Sequence, residues 1–248
     1  MHVQLQPAYV LHHRPYRDTS RILELFTRDH GRVTVFARGA RGGRKGTSLV
    51  STLQPFHRLL VSWTGRGEAG QLTGAEFDGA VMPLPSDRLV SGFYLNELLL
   101  KLFVRQDGHP DVFELYSRTL ESMKQAESVL PVLRVFEKRL LDALGYGLAL
   151  ERDAQSGEPL DPAALYHYRL EYGPTRIDDA HRAENFAGAP FVFSGATLLA
   201  LAREDLAALA ENSDARRLLR GALDRVLDGR ELKSREVMLA LRATRQPS

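Results

Sequence analysis

The run Arg32-Val33-Thr34-Val35-Phe36-Ala37, continued by Arg38-Gly39-Ala40-Arg41-Gly42-Gly43-Arg44-Lys45-Gly46, decides how the N-terminal part of this chain is read. The first six residues alternate with period two, as a strand with one buried face does. The next nine hold four cations, four glycines and no acid. Glycine lets a backbone approach a polyanion closely, while Arg and Lys neutralise phosphates and release their counterions. Beyond the loop, Phe56-His57-Arg58-Leu59-Leu60-Val61-Ser62-Trp63 reads as a second strand with partial alternation. A basic glycine-rich loop between two strands points to a nucleic-acid surface; a solvated surface loop is the alternative reading.

Working outward, five strand-like runs, at 8–13, 20–27, 32–37, 55–63 and 71–77, fill about 70 residues. Asp29-His30-Gly31 and Thr64-Gly65-Arg66-Gly67 supply turn chemistry between them. That size and strand number fit an oligonucleotide-binding (OB) barrel, although periodicity alone does not separate it from an SH3-like barrel. Parity places Val33, Val35, Ala37, Leu59, Val61 and Trp63 inside, and Thr34, Phe36, Arg38, Phe56, Arg58 and Ser62 outside. Phe36 and Phe56 are then exposed aromatics beside Arg38 and Arg58, an arrangement suited to base stacking. Core packing is the competing role for either ring.

After Met82-Pro83-Leu84-Pro85 the pattern turns helical. Ser86 reads as an N-cap, and Leu89, Phe93, Asn96, Leu100 and Phe103 recur at helical spacing as a buried stripe. Further helices are expected at about 110–123 and 129–144, the latter closing at Gly145. The segment 146–193 is irregular, and helices resume at Ser194 and near Ser213. The expected class is therefore α+β in two domains: a five-stranded OB barrel over 1–80, then a mainly helical domain over 81–248.

Composition limits function. Residues 1–80 hold 11 Lys/Arg against 6 Asp/Glu, so the basic partner surface belongs to the N-terminal third although the whole chain carries only +2. Without cysteine the chain forms no disulfide, no thiolate zinc site and no thiol nucleophile. Nothing at the N-terminus reads as a signal peptide and no apolar run reaches the roughly 20 residues of a spanning helix, so the expected compartment is the cytoplasm. Gly42-Gly43-Arg44-Lys45-Gly46-Thr47-Ser48 has the composition of a P-loop, but its lysine precedes the glycine, the wrong order for folding back over phosphates. Asp178-Asp179-Ala180-His181 lacks a matching second set of metal ligands. Binding without catalysis, and without a cofactor, is the reading that remains.

Ordered strings carry more. Gly31 to Arg41, then Leu53-Gln54-Pro55-Phe56, Tyr94-Leu95-Asn96-Glu97-Leu98-Leu99, Leu133-Arg134-Val135-Phe136-Glu137, Leu144-Gly145-Tyr146 and Leu232-Lys233-Ser234-Arg235-Glu236 together resemble the RecO family of DNA repair proteins. The resemblance implies an N-terminal OB domain, a helical C-terminal domain and a recombination mediator. Such a protein binds single- and double-stranded DNA, anneals complementary strands and helps load RecA onto strands coated with single-stranded DNA-binding protein. It implies RecR and the acidic tail of that coating protein as partners. Many family members carry a four-cysteine zinc module after the Leu-Gly-Tyr segment, whereas residues 151–160 here contain none, and His167 and His181 do not replace four thiolates. A metal-free version is expected, its irregular segment held by apolar and hydrogen-bonding contacts.

Arg38, Arg41, Arg44, Lys45 and Arg66 are the expected phosphate contacts, with Arg14, Arg17 and Arg58 beside them and Phe36 and Phe56 for stacking. A hydrophobic acidic tail needs a cation beside an apolar groove, which Arg134, Lys138 and Arg139 next to Leu133 and Leu141 offer. The competing classes are an RNA-binding OB protein of translation or RNA processing, and a phosphate-processing enzyme. Composition does not separate DNA from RNA, since 2′-hydroxyl contacts make that distinction.

Overall fold

The computed structural model describes residues 2–16, 20–38, 49–65, 69–177 and 191–245. Five strands, β1 (His2–Tyr16), β2 (Ser20–Thr27), β3 (Gly31–Ala37), β4 (Leu59–Thr64) and β5 (Ala69–Phe77), close a barrel in the order β1-β2-β3-β5-β4. Only the β3–β5 pair is parallel, and β4 returns antiparallel to β1 to complete the ring. This is OB topology. Alternation on β3 is as the sequence predicts, with Val33, Val35 and Ala37 buried beside Leu23, Leu25, Leu59, Val61 and Trp63.

β1 serves two neighbours, and two irregularities make that possible. Its register shifts between Val3 and Gln6 against β4 and between Val10 and His12 against β2. Bulges of this kind bend a strand so that a small barrel can close. β1 also runs past Pro15, beyond the 8–13 run read from the sequence. Beyond Ala8 it pairs with β2 but no longer with β4, and an unpaired edge is where proline is tolerated.

A short helix α1 (Leu49–Thr52) precedes β4, and a 3-10 turn at Ser86–Arg88 opens the helical part, so Ser86 starts that turn rather than capping a helix. Next come α2 (Leu89–Leu102), α3 (Pro110–Gln125), α4 (Val129–Ala143), α5 (Gly195–Arg203), α6 (Leu206–Leu209), α7 (Ser213–Leu227) and α8 (Lys233–Arg245). The chain forms two compact units. One unites the barrel, α2, α3 and the terminal α8; the other spans Ala126–Arg230. Packing thus draws its division at a different place from the change of strands to helices after Phe77.

In the first unit, the outer face of β1 and β2 is covered. Tyr9 lies 5.4 Å from Phe113 and 5.0 Å from Tyr116, and Phe26 lies 5.8 Å from Phe113, centroid to centroid. The bulge turns the Leu11 carbonyl out of the ladder, and Asn96 Nδ2 donates to it (2.9 Å) while Asn96 Oδ1 accepts from the Tyr116 hydroxyl. The buried side of α2 is therefore Tyr94, Leu95, Asn96, Leu98 and Leu99, and Phe93, expected in the buried stripe, is exposed. The next residue, Glu97, reaches the start of α8. Its carboxylate accepts from Lys233 N (2.9 Å), Ser234 N (2.9 Å) and Ser234 Oγ (2.6 Å). Two of the ordered strings, Tyr94 to Leu99 and Leu232 to Glu236, meet at this cap.

In the second unit α4 packs on α5, α6 and α7, beside a three-stranded sheet of β6 (Leu165–Arg169), β7 (Gly173–Arg176) and β8 (Val192–Ser194) in the order β7-β6-β8. The cysteine-free stretch is organised around buried Asp153. Its two oxygens accept from the backbone amides of Gln155 (2.8 Å), Ser156 (2.8 Å) and Arg176 (2.6 Å). A carboxylate saturated by amides cross-links this loop to β7.

Candidate nucleic-acid interface

Where β1 and β2 meet and β3 ends, the barrel presents aromatic rings and cations. Arg14 stands opposite Ile22 and Ile22 opposite Phe36, so all three share the outer face. Phe36 is half-buried, and Tyr16, 37% exposed, lies beside it with ring centroids 5.3 Å apart and planes tilted 53°. Gln71 on the parallel strand donates to the Phe36 carbonyl (2.8 Å), fixing the backbone under the ring. Arg14 and Arg38 are exposed at this end. Two adjacent rings flanked by guanidiniums form a surface on which bases can stack while phosphates are neutralised.

Tyr16 is the residue sequence reasoning missed. Its signal was the Arg14-Pro15-Tyr16 spacing, which puts ring and cation on one face once the strand is allowed to continue through the proline. Arg17, Arg41, Arg44, Lys45 and Arg66 lie outside the described residues, as do Asp178, Asp179 and His181.

Phe56 and Arg58 require correction. β4 begins only at Leu59, so strand parity does not extend back to either residue. Phe56 has φ 69°, a region bulky residues avoid, and is buried (5% exposed) with its ring 5.0 Å from that of Phe93. Gly92 admits it: a Cβ there would come within 2.8 Å of the Phe56 ring. Phe56 is a core ring locking the barrel to α2. Arg58 donates through Nε to Asp78 (2.7 Å) and lies 5.6 Å over the Phe113 ring. Burial opposes its charge, but the Asp78 hydrogen bond and charge outweigh that and raise its pKa. Its cation is thus already matched by a carboxylate.

Arg32 is pinned as well. Its Nη1 donates to Leu100 O (2.6 Å) and Phe103 O (2.7 Å), satisfying carbonyls at the C-terminus of α2, where positive charge is favoured. Glu24 accepts from Arg105 (2.8 Å) and Thr34 (2.8 Å), and Arg32 Nη2 lies 3.4 Å away. The basic excess of the N-terminal third is therefore partly structural.

The groove expected on α4 is not formed as expected. Leu133 and Leu141 are buried core residues, and Arg134, only 8% exposed, forms a buried ion pair with Glu137 (2.7 Å). One turn on, Lys138 (3.0 Å) and Arg139 (2.5 Å) converge on Glu204, the residue ending α5 in a left-handed conformation. Hydrogen bonding from Arg139, against burial, holds the Glu204 carboxyl below the usual carboxylate range. The helix is amphipathic with its apolar stripe inward, so the leucines chosen from sequence are those facing the core.

Among the described residues no group of three or more His, Asp or Glu could hold a metal ion, and no helix is long and apolar enough to cross a membrane. The site and topology define an OB-barrel protein joined to a helical region. Residues 1–79 match the family model "Recombination protein O N terminal" and residues 86–236 match "Recombination protein O C terminal". The chain is 45% identical over 242 residues to the DNA repair protein RecO of Nitrosococcus oceani, covering 98% of this chain and 95% of that one. Identity is 46% over 242 residues to the RecO of Alkalilimnicola ehrlichii (98% and 93% covered) and 45% over 235 residues to that of Methylococcus capsulatus (95% and 93%). The chain belongs to the RecO family of DNA repair proteins.

Proposed function

We propose that the protein is a non-enzymatic recombination mediator: it binds single- and double-stranded DNA, anneals complementary strands, and helps load RecA onto strands coated by single-stranded DNA-binding protein. The observation that carries this reading is the Tyr16–Phe36 ring pair beside Arg14 and Arg38 on an OB barrel. Two strands repel through their phosphates; cations that neutralise both lower that barrier, and holding both raises their effective concentration. Base pairing then completes the reaction without covalent chemistry. Further phosphate contacts come from Arg41, Arg44 and Lys45 of the glycine-rich loop, and from Arg17 and Arg66. RecR and the acidic tail of the coating protein are the protein partners, and the protein acts in the cytoplasm at the nucleoid. For the tail, Lys138 and Arg139 are the cations its carboxylates would meet, in competition with Glu204.

An annealing assay with complementary oligonucleotides, with and without coating protein, tests the reading. Wild-type protein accelerates annealing in both cases, and Tyr16→Ala with Phe36→Ala slows it. Failure of the unaltered protein to accelerate annealing refutes the proposal. RNA of the same sequence binding more tightly than DNA would favour the RNA-processing reading.

A further inference from the structure

In the second unit an open cleft of about 350 Å³ lies along the turn between β6 and β7. That is within the ~300–1,000 Å³ of clefts that hold small ligands. Tyr168, Arg169, Tyr172 and Phe191 line it, together with Glu171 and Arg225. Tyr172 is 64% exposed, and the Arg169 guanidinium lies 4.7 Å from its ring centroid. Phe191 is 36% exposed and has φ 63°, an outlier for an aromatic residue that the surroundings must enforce. They do so from two sides. Its carbonyl accepts from Tyr168 N (2.7 Å), and its ring lies over Gly221, where a Cβ would come within 3.1 Å. A backbone outlier and a glycine therefore hold a ring at the cleft instead of in the core.

We infer that this cleft binds an unpaired nucleobase of a DNA strand, with the base stacking on Tyr172 and Phe191 and a neighbouring phosphate meeting Arg169 and Arg225. The inference rests on the proposed DNA binding and adds to it a base-stacking site in the second unit. Aromatic faces are sequence-tolerant stacking platforms, and guanidiniums beside them meet the backbone. Glu171 favours a base over an acidic side chain, because it can accept from the exocyclic amine of cytosine or adenine, a donor that an ionised carboxylate lacks. The Glu171–Arg225 ion pair is about half exposed at both ends. Such a pair contributes little and opens readily to admit a ligand.

The test uses the full-length protein and three fluorescent probes of equal length: a single strand, a blunt duplex, and a single strand of abasic sugar-phosphate. Tyr172→Ala is expected to weaken single-strand binding by about 5- to 150-fold per stacked base lost. Duplex and abasic binding stay unchanged, and Tyr172→Trp retains single-strand affinity. Tyr172 is exposed, so its truncation leaves the fold intact; an unchanged melting temperature and circular dichroism spectrum verify this. Equal losses on duplex and single strand, or no loss on either while wild type binds both, overturn the inference and leave the proposed function standing. An acidic peptide whose binding alone depends on Tyr172 would make the cleft a peptide site and overturn it too. Failure of wild type to bind any DNA refutes the proposed function, and this site with it.

Discussion

Asn96 is expected to be worth more to this protein than any cation in the first unit, and a double-mutant cycle with Tyr116 tests why. Asn96 is almost fully buried; it donates to Leu11 O at the β1 bulge and accepts from the Tyr116 hydroxyl, itself fully buried. Replacing it by leucine keeps the volume but orphans two buried polar groups, each costing about 1–3 kcal/mol, so the single change destabilises by about 2–6 kcal/mol. Tyr116→Phe orphans only Asn96 Oδ1 and costs about 1–3 kcal/mol. With both changes, the facing groups are apolar and only the Leu11 carbonyl lacks its partner. The pair should then be less damaging than the sum of the singles by the penalties of the Tyr116 hydroxyl and Asn96 Oδ1 together, about 2–6 kcal/mol. Trp63 is the one tryptophan of the chain and sits in the barrel core, so urea unfolding followed by its fluorescence reports on this unit. Single costs that add within about 0.5 kcal/mol, or an Asn96→Leu protein as stable as wild type, would refute the argument.

Other expectations follow from the same reasoning. Replacing Arg41, Arg44 and Lys45 together by alanine should weaken DNA binding across sequences alike and lower the single-strand salt slope by about 0.7 per lost contact; an unchanged slope would make the loop a solvated surface. Glu97 titrates below its ordinary value of 4.5, because the hydrogen bonds from Ser234 and Lys233 outweigh the opposing effect of burial. A depressed carboxyl stabilises above its unfolded pKa and stops doing so as pH falls through its folded one. Protection of the Ser234 amide from hydrogen exchange should therefore fall on acidification below 4.5, and the Glu97→Gln protein should show a flatter profile over that interval. Glu204→Gln releases Lys138 and Arg139 from their carboxylate, so binding of an acidic tail peptide should tighten, measured by fluorescence anisotropy. Weaker binding would mean that Glu204 positions those cations instead of competing for them.

The sequence by itself determined the barrel and its inner face. Five short alternating runs, two turns with the right residues and the parity of Val33, Val35 and Ala37 are local properties, and a period of two leaves one way to bury them. It also placed the excess charge and, through the order of six strings, the family. What it did not determine depends on contacts between distant segments. Phe56 looks like an exposed strand residue until Gly92, on another element, makes room for its ring. α2 is apolar on most sides because it faces the barrel and α8 together, so periodicity does not single out the face that is buried. Leu133 and Leu141 look like a groove beside cations, but α5, α6 and α7 cover them, and Glu204 arrives from α5 to claim Lys138 and Arg139. Tyr16 joins Phe36 only because β1 continues past a proline at an edge that β4 no longer pairs with. Local pattern specifies which residues are buried within an element. Whether an outward side chain meets solvent, a helix or an opposite charge is settled by tertiary packing, because the partner lies tens of residues away in the chain.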